Sequence, residues 1–172
     1  MLTLKEANFQ DIQKEYEFVR EIPENENGFT NAYFGASFDE FSSVCLPQMI
    51  AWSEGKELPA GFVPETFYFL WEDSEIVGQF RIRHFLCPSL VEGGGHIGYF
   101  IQKDKRNRGL GKKGLRLALE KAQIIVPEDE IYLRVQKNNP ASLRVMLSAG
   151  GCIHHEDDGH YYVRIKKQTK TK

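Results

Sequence analysis

The sequence predicts an α+β fold in which a mixed, mostly antiparallel twisted sheet of about six to seven strands, with a parallel central pair, is flanked by about four helices. Three observations carry this. Residues 66–85 and 152–166 each read as two strand-like runs around a short polar turn, the pattern of a hairpin. Between them, from His96 to Gln136, strand-like, helix-like and strand-like segments follow one another, which implies a right-handed crossover and a parallel pair. The chain has 172 residues with 41% hydrophobic content, enough for one core with little room for a second. One domain over residues 1–167 is therefore expected, with a disordered Lys-rich tail at 168–172.

Asn8 to Glu21 is helical in pattern, with Phe9, Ile12, Tyr16 and Val19 on one side, and a second helix lies between Phe38 and Glu54 with Pro47 as its point of interruption. Thr66–Trp71 and Ile76–Ile82 are strands around Glu72-Asp73-Ser74-Glu75. A loop with Pro88 and Gly93-Gly94-Gly95 precedes a strand over His96–Gln102. The next helix runs from Gly109 to about Ile125, with Leu115, Ala118, Leu119, Ala122 and Val126 on one face. Ile131, Leu133 and Val135 alternate with Tyr132, Arg134 and Gln136 in the following strand. Asn139-Pro140 opens a short helix that stops at Gly150-Gly151, and Cys152 to Lys166 forms the last hairpin around Asp157-Asp158-Gly159.

Charge is unevenly spread along this plan. The net charge is −2, yet Lys103 to Arg116 holds seven basic residues against Asp104 alone, so that window carries +6 and the remainder −8. The window falls on the loop and first turn joining a strand to a helix. There the first backbone N–H groups lack internal partners and the helix dipole is positive, so an anion is welcome, whereas Lys112 and Lys113 are unfavourable unless a polyanion binds. Gly109 and Gly111 let backbone approach a ligand, and Gly114 costs about 1 kcal/mol against Ala in a helix, which points to tight packing on the sheet. Anion binding explains this combination better than a solvated basic face.

Gly109-Leu110-Gly111-Lys112-Lys113-Gly114 also matches the G-x-G-x-x-G dinucleotide pattern, but its context fails. Glu128, Asp129 and Glu130 precede the next strand instead of closing it, and too little chain follows for a doubly wound sheet. No G-x-x-x-x-G-K-[ST] occurs.

Arg106-Asn107-Arg108-Gly109-Leu110-Gly111 resembles the [QR]-x-x-G-x-[GA] signature of the GNAT superfamily of acetyl-CoA-dependent N-acetyltransferases. Gly94-Gly95-His96-Ile97-Gly98-Tyr99-Phe100-Ile101 upstream resembles that family's cofactor strand, and Asn139-Pro140-Ala141-Ser142 downstream its N-x-x-[AS] helix start. The resemblance covers about residues 60 to 165. It implies that the parallel pair splays, that Phe100 and Ile101 offer backbone groups to the pantetheine arm, and that backbone N–H groups from Arg108 through Gly109, Leu110 and Gly111 to Lys112 hold the pyrophosphate. Arg106 and Arg108 would add charge-assisted contacts, and Asn139 and Ser142 would touch the pantetheine end. Asn139 is equally well explained as an ordinary helix cap.

The implied reaction sets its own requirements. An amine with a pKa of about 10.4 must lose a proton before it attacks a thioester, the developing oxyanion needs a donor, and the leaving thiolate needs a proton. Relatives place a Tyr four residues after the N-x-x-[AS] motif as the acid. Here that position is Met146, so another group, water or no acid serves. His96, His84 and Tyr162 are the candidates for the polar roles, each also explicable as a strand packing residue.

Other classes are disfavoured. Three well-separated cysteines, the absence of a signal-like N-terminus and the absence of a long apolar run suit a soluble cytoplasmic protein without membrane attachment. No metal-ligand spacing links His154, His155 and His160 to the cysteines, and no metal is expected. The acidic remainder and the lack of an aromatic-basic platform argue against nucleic acid. The expected partner is a small-molecule or peptide amine, the expected state a monomer or homodimer, and the rival reading a non-catalytic acyl-CoA-binding or regulatory module.

Overall fold

The computed structural model describes residues 1–168, so the tail expected at 168–172 falls, from residue 169 on, outside the described residues. Strand β1 (Leu2–Glu6) opens the chain, followed by helix α1 (Ile12–Arg20) and a small hairpin of β2 (Asn25–Glu26) and β3 (Phe29–Thr30). Helix α2 (Phe38–Glu40) passes through a π-helical turn at Phe41–Cys45 into α3 (Leu46–Ser53). Pro47 does not break the helix: it follows directly on the π-helical turn, where the regular i→i−4 hydrogen-bond ladder is already displaced.

The predicted first hairpin is β4 (Glu65–Glu72) and β5 (Glu75–Arg83). Strand β4 is buried on both faces, because Phe67, Phe69 and Trp71 point into one apolar cluster and Tyr68 and Leu70 into another. Short helix α4 (Pro88–Val91) leads to β6 (Ile97–Ile101), and β1-β4-β5-β6 form an antiparallel sheet. Helix α5 (Leu110–Ile125) then crosses to β7 (Glu130–Gln136), helix α6 (Pro140–Ser148) follows, and the final hairpin is β8 (Cys152–Glu156) with β9 (His160–Lys166). In this second sheet the order is β7-β9-β8, again antiparallel.

The α+β class and the hairpins match the sequence reading, and the central pair splays as the family resemblance implies. No parallel ladder joins β6 to β7 among the described residues. Instead a single antiparallel-type bridge links Gly95 to Leu133, and the His96 N–H donates to the Tyr132 carbonyl at 2.7 Å. The reason is local. Gly95 has φ 65°, and a Cβ there would lie 2.3 Å from the Tyr132 oxygen, so only glycine permits this close crossing. Beyond it the sheets part.

Helix α5 packs Leu110, Leu115, Ala118 and Ala122 against Phe80 and Ile82 on one sheet face. Phe18 and Val19 of α1, with Phe41, Leu46 and Met49, cover the opposite face. Gly114 sits where α5 touches the sheet: a Cβ would approach Phe80 Cζ to 2.4 Å and Leu70 Cδ2 to 3.0 Å. Among the described residues no helix is long and apolar enough to cross a membrane.

Candidate active site

Where the two sheets part, a cleft of about 600 Å³ opens between β6, the start of α5, the end of β7 and the start of α6. One edge of β6 pairs with β5, while the other meets only the Gly95 bridge, so backbone donors and acceptors remain along the cleft. The β2–β3 turn, Asn27-Gly28, closes one side against Gln136, whose Nε2 lies 3.3 Å from where a Gly28 Cβ would stand. Both turn residues have positive φ, 53° and 84°, as a tight hairpin of this type requires. The Asn-Gly pair is a hairpin signal that the sequence reading above does not use.

Gly109 caps α5 in the left-handed conformation, φ 75°, and no side chain caps that end. The first-turn N–H groups of α5 therefore face the cleft at Leu110, Gly111 and Lys112, all of which line it. A Cβ on Gly109 would meet nothing within 4 Å, and one on Gly111 would make only ordinary contact with Val145 Cγ2 at 3.5 Å and Ile101 Cγ1 at 3.8 Å. The arginines expected here are otherwise occupied. Arg106 grips Glu26 through both ends of its guanidinium, at 2.7 and 3.1 Å, and its Nε donates to the Ile101 carbonyl. Its hydrogen bonds hold the Glu26 carboxyl below the usual carboxylate range. Arg108 turns away to Glu72 at 2.8 Å and does not line the cleft. Lys112 does line it, as does Arg144 of α6.

Phe100, Ile101, Asn139 and Ser142 all line the cleft. Asn139 acts as the cap of α6: its Oδ1 accepts the Ser142 N–H at 3.2 Å. Ser142 in turn meets Tyr99, a residue the sequence reading did not single out, with Tyr99 Oη 2.6 Å from Ser142 Oγ. The Tyr99 ring stacks on Phe80 at 5.3 Å, and burial pushes its phenol up to about 12. It is the only tyrosine that lines the cleft among the described residues. Its signal was faint, since a Tyr in a strand is ordinary on β-propensity.

The three polar candidates do not converge on the cleft. His96 is fully buried at the sheet junction, where its Nδ1 accepts the Tyr132 N–H at 2.8 Å. Nε2 therefore carries the proton and donates to Glu128 at 3.2 Å, and burial holds the imidazole pKa below its usual value. His84 lies in a separate pocket, with Nε2 2.7 Å from the Thr66 hydroxyl. Tyr162 donates to Asp157 at 2.8 Å and stacks on His155, outside the cleft. Among the described residues no group of three or more His, Cys, Asp or Glu is placed to hold a metal ion.

The fold has solved counterparts. An acetyltransferase of the GNAT family from Streptococcus pneumoniae shares 18% identity at TM-score 0.65, over 98% of this chain and 100% of that one. Spermidine N-acetyltransferase from Vibrio cholerae, in complex with CoA and spermine, shares 14% at TM-score 0.62, over 96% and 95%. N-acetyltransferase PseH from Campylobacter jejuni, in complex with acetyl coenzyme A, shares 14% at TM-score 0.60, over 98% and 100%. At these identities the likeness is one of fold. No curated protein matches the chain in sequence. The model of the acetyltransferase (GNAT) family, however, matches residues 12–150, most of the chain, and so the chain belongs to that family of acetyltransferases.

Proposed function

We propose that this acetyltransferase moves the acetyl group of acetyl-CoA to the nitrogen of a primary amine by direct attack in a ternary complex, within a single domain spanning residues 1–167. The observation that carries this reading is the uncapped start of α5 opening onto a cleft bounded by the unpaired edge of β6. The residues fit a pyrophosphate there: Gly109 turns the chain, Gly111 leaves room, and the first-turn N–H groups with Lys112 and Arg144 supply donors and charge. Acetyl-CoA supplies an activated acyl group as a thioester.

The chain's own groups divide the remaining work. Backbone N–H groups near Phe100 and Ile101 stabilise the developing oxyanion, and Asn139 and Ser142 border the pantetheine end. Tyr99 takes the role that Met146 cannot fill. Its phenol stays protonated at neutral pH and donates to the leaving thiolate, with Ser142 holding its hydroxyl in place. Neither His84, His96 nor Tyr162 lines the cleft, and His160, which does, has its Nδ1 3.3 Å from Asp157, so water takes the amine proton. Amine acetylation by the spermidine enzyme and by PseH supports nitrogen as the acceptor atom.

Acetyl-CoA binding measured by calorimetry tests the cofactor site. Wild type is expected to bind in the micromolar range, and Gly111→Trp, whose indole occupies the cleft, to lose binding while keeping the fold by circular dichroism. Absence of binding by folded wild type overturns the reading. Binding without turnover of any amine in a thiol-release screen instead favours a non-catalytic acyl-CoA-binding module.

A further inference from the structure

Arg81 on β5 is a charged side chain that the proposed reaction does not use. It lies opposite Gly98 on β6, and because Gly98 has no side chain the guanidinium rests beside the strand, its Nη2 3.8 Å from where a Cβ would be. From there it lines the cleft. One flat face is covered by Phe29 of β3, whose ring centre is 4.6 Å from Cζ, with Phe67 at 6.0 Å. Stacking satisfies the face of a guanidinium but not its in-plane N–H donors. Nε is wholly buried without a hydrogen-bond partner, and among the described residues no nitrogen of this guanidinium has one. A half-buried guanidinium with no acceptor at its edge is costly unless an anion supplies one.

The surroundings define that anion. The nearest acid, Glu65, is taken by Arg83, whose Nε lies 3.1 Å from it and whose Nη1 donates to the Gly95 carbonyl at 3.0 Å. Arg81 is left without an acidic partner of its own, which suits a carboxylate at its edge. Arg134 of β7 adds positive potential from the other wall of the cleft, while Glu26, the one acid lining it, is held by Arg106. Position excludes a contact to the cofactor's phosphates. Arg81 shares the sheet face of Phe29, Phe67 and Phe100, packed by the N-terminal helices, whereas α5 lies on the opposite face.

On the reading that the cleft holds an acetyl-CoA-dependent transfer to an amine, we infer that the acceptor is an amine that also carries a carboxylate, an amino acid or a peptide with a nearby free carboxylate, anchored in bidentate fashion by Arg81. The carboxylate edge meets the unpartnered guanidinium edge and fixes the acceptor on the side of β6 away from the phosphate-binding turn.

Two measurements test this, one of them independent of turnover. The Arg81 guanidinium resonances, assigned by triple-resonance NMR on wild type saturated with CoA, are expected to shift on titration with millimolar N-acetylglycine and to stay still with N-acetylglycinamide. In thiol-release assays with paired substrates, each amino acid is expected to exceed its own carboxamide by about 100-fold in kcat/KM, and Arg81→Gln to bring the pair toward parity. No shift with the acid, a shift with inorganic phosphate alone, or turnover of the carboxamides as fast as the acids overturns the inference. Failure of acetyl-CoA to bind overturns the transfer reading instead, and the NMR titration of the CoA-free protein then still decides whether Arg81 holds a carboxylate.

Discussion

Two residues on the same short segment behave in opposite ways, and the difference is where their polar atoms point. The Tyr99 hydroxyl faces the cleft and Ser142. Tyr99→Phe removes the phenolic proton but keeps the ring on Phe80, so kcat should fall by about 100-fold with acetyl-CoA affinity little changed, measured by thiol release and calorimetry. His96, three residues earlier, spends both ring nitrogens on Tyr132 and Glu128. His96→Ala leaves the Tyr132 N–H unpartnered and should cost about 2–3 kcal/mol in urea unfolding, with turnover per folded molecule within a few-fold of wild type. The pH dependence has a definite sign. Burial keeps the folded pKa of His96 below the ordinary 6.5, so the unfolded chain takes up a proton that the fold refuses. Its contribution is complete above 6.5 and declines as pH falls through the interval beneath that value. The stability gap between wild type and His96→Ala should therefore narrow over that interval; a gap independent of pH would contradict the assignment.

Helix α5 joins two tasks that call for glycine for different reasons. At its start, Gly109 needs a left-handed φ and Gly111 borders the cleft, where a Cβ would make only ordinary contact with Val145. In its second turn, Gly114 is pressed against Phe80 and Leu70. Alanine is intrinsically the better helix residue by about 1 kcal/mol, yet at this position its methyl would collide with an aromatic ring fixed in the sheet. Gly114→Ala should lower stability by about 1–3 kcal/mol, whereas Gly111→Ala should leave the melting temperature nearly unchanged and weaken acetyl-CoA binding. Calorimetric melting of both variants checks the pair. A stabilised Gly114→Ala would show that the helix lies further from the sheet than described here.

At the scale of the molecule, the cleft is the seam between two sheets that share one bridge and are otherwise connected through α5 and α6. A ligand that contacts β6, α5 and α6 together ties the halves of the fold. Acetyl-CoA at about 100 times its Kd should add close to 2.7 kcal/mol of stability, read as a concentration-dependent rise in melting temperature, and Gly111→Trp should show no such rise. Amides of β6 and β7 along the seam should gain hydrogen-exchange protection in the same titration, since they are the strand edges without partners.

Periodicity and local turn chemistry determined much of this protein before any tertiary contact was known. The alternation in 66–82, the amphipathic run of α5 and the Asn139-Pro140 helix start are short-range signals, because each depends on neighbours within a turn or a strand. The phosphate-binding turn is legible for the same reason, as glycines and cations within a few residues of one helix start. Tertiary structure alone decided which polar groups reach the cleft. His96 and Tyr99 sit in one segment, but the crossing at Gly95 buries the first and opens the second, and that crossing is set by Tyr132, far along the chain. Arg106 and Arg108 look like free cations in sequence until folding brings Glu26 and Glu72 to them, and Arg81 looks like an ordinary strand residue until Gly98 and Phe29 hold it beside the cleft. The charge and hydrogen-bond partners of a side chain belong to residues distant in sequence, and only the packed chain assigns them.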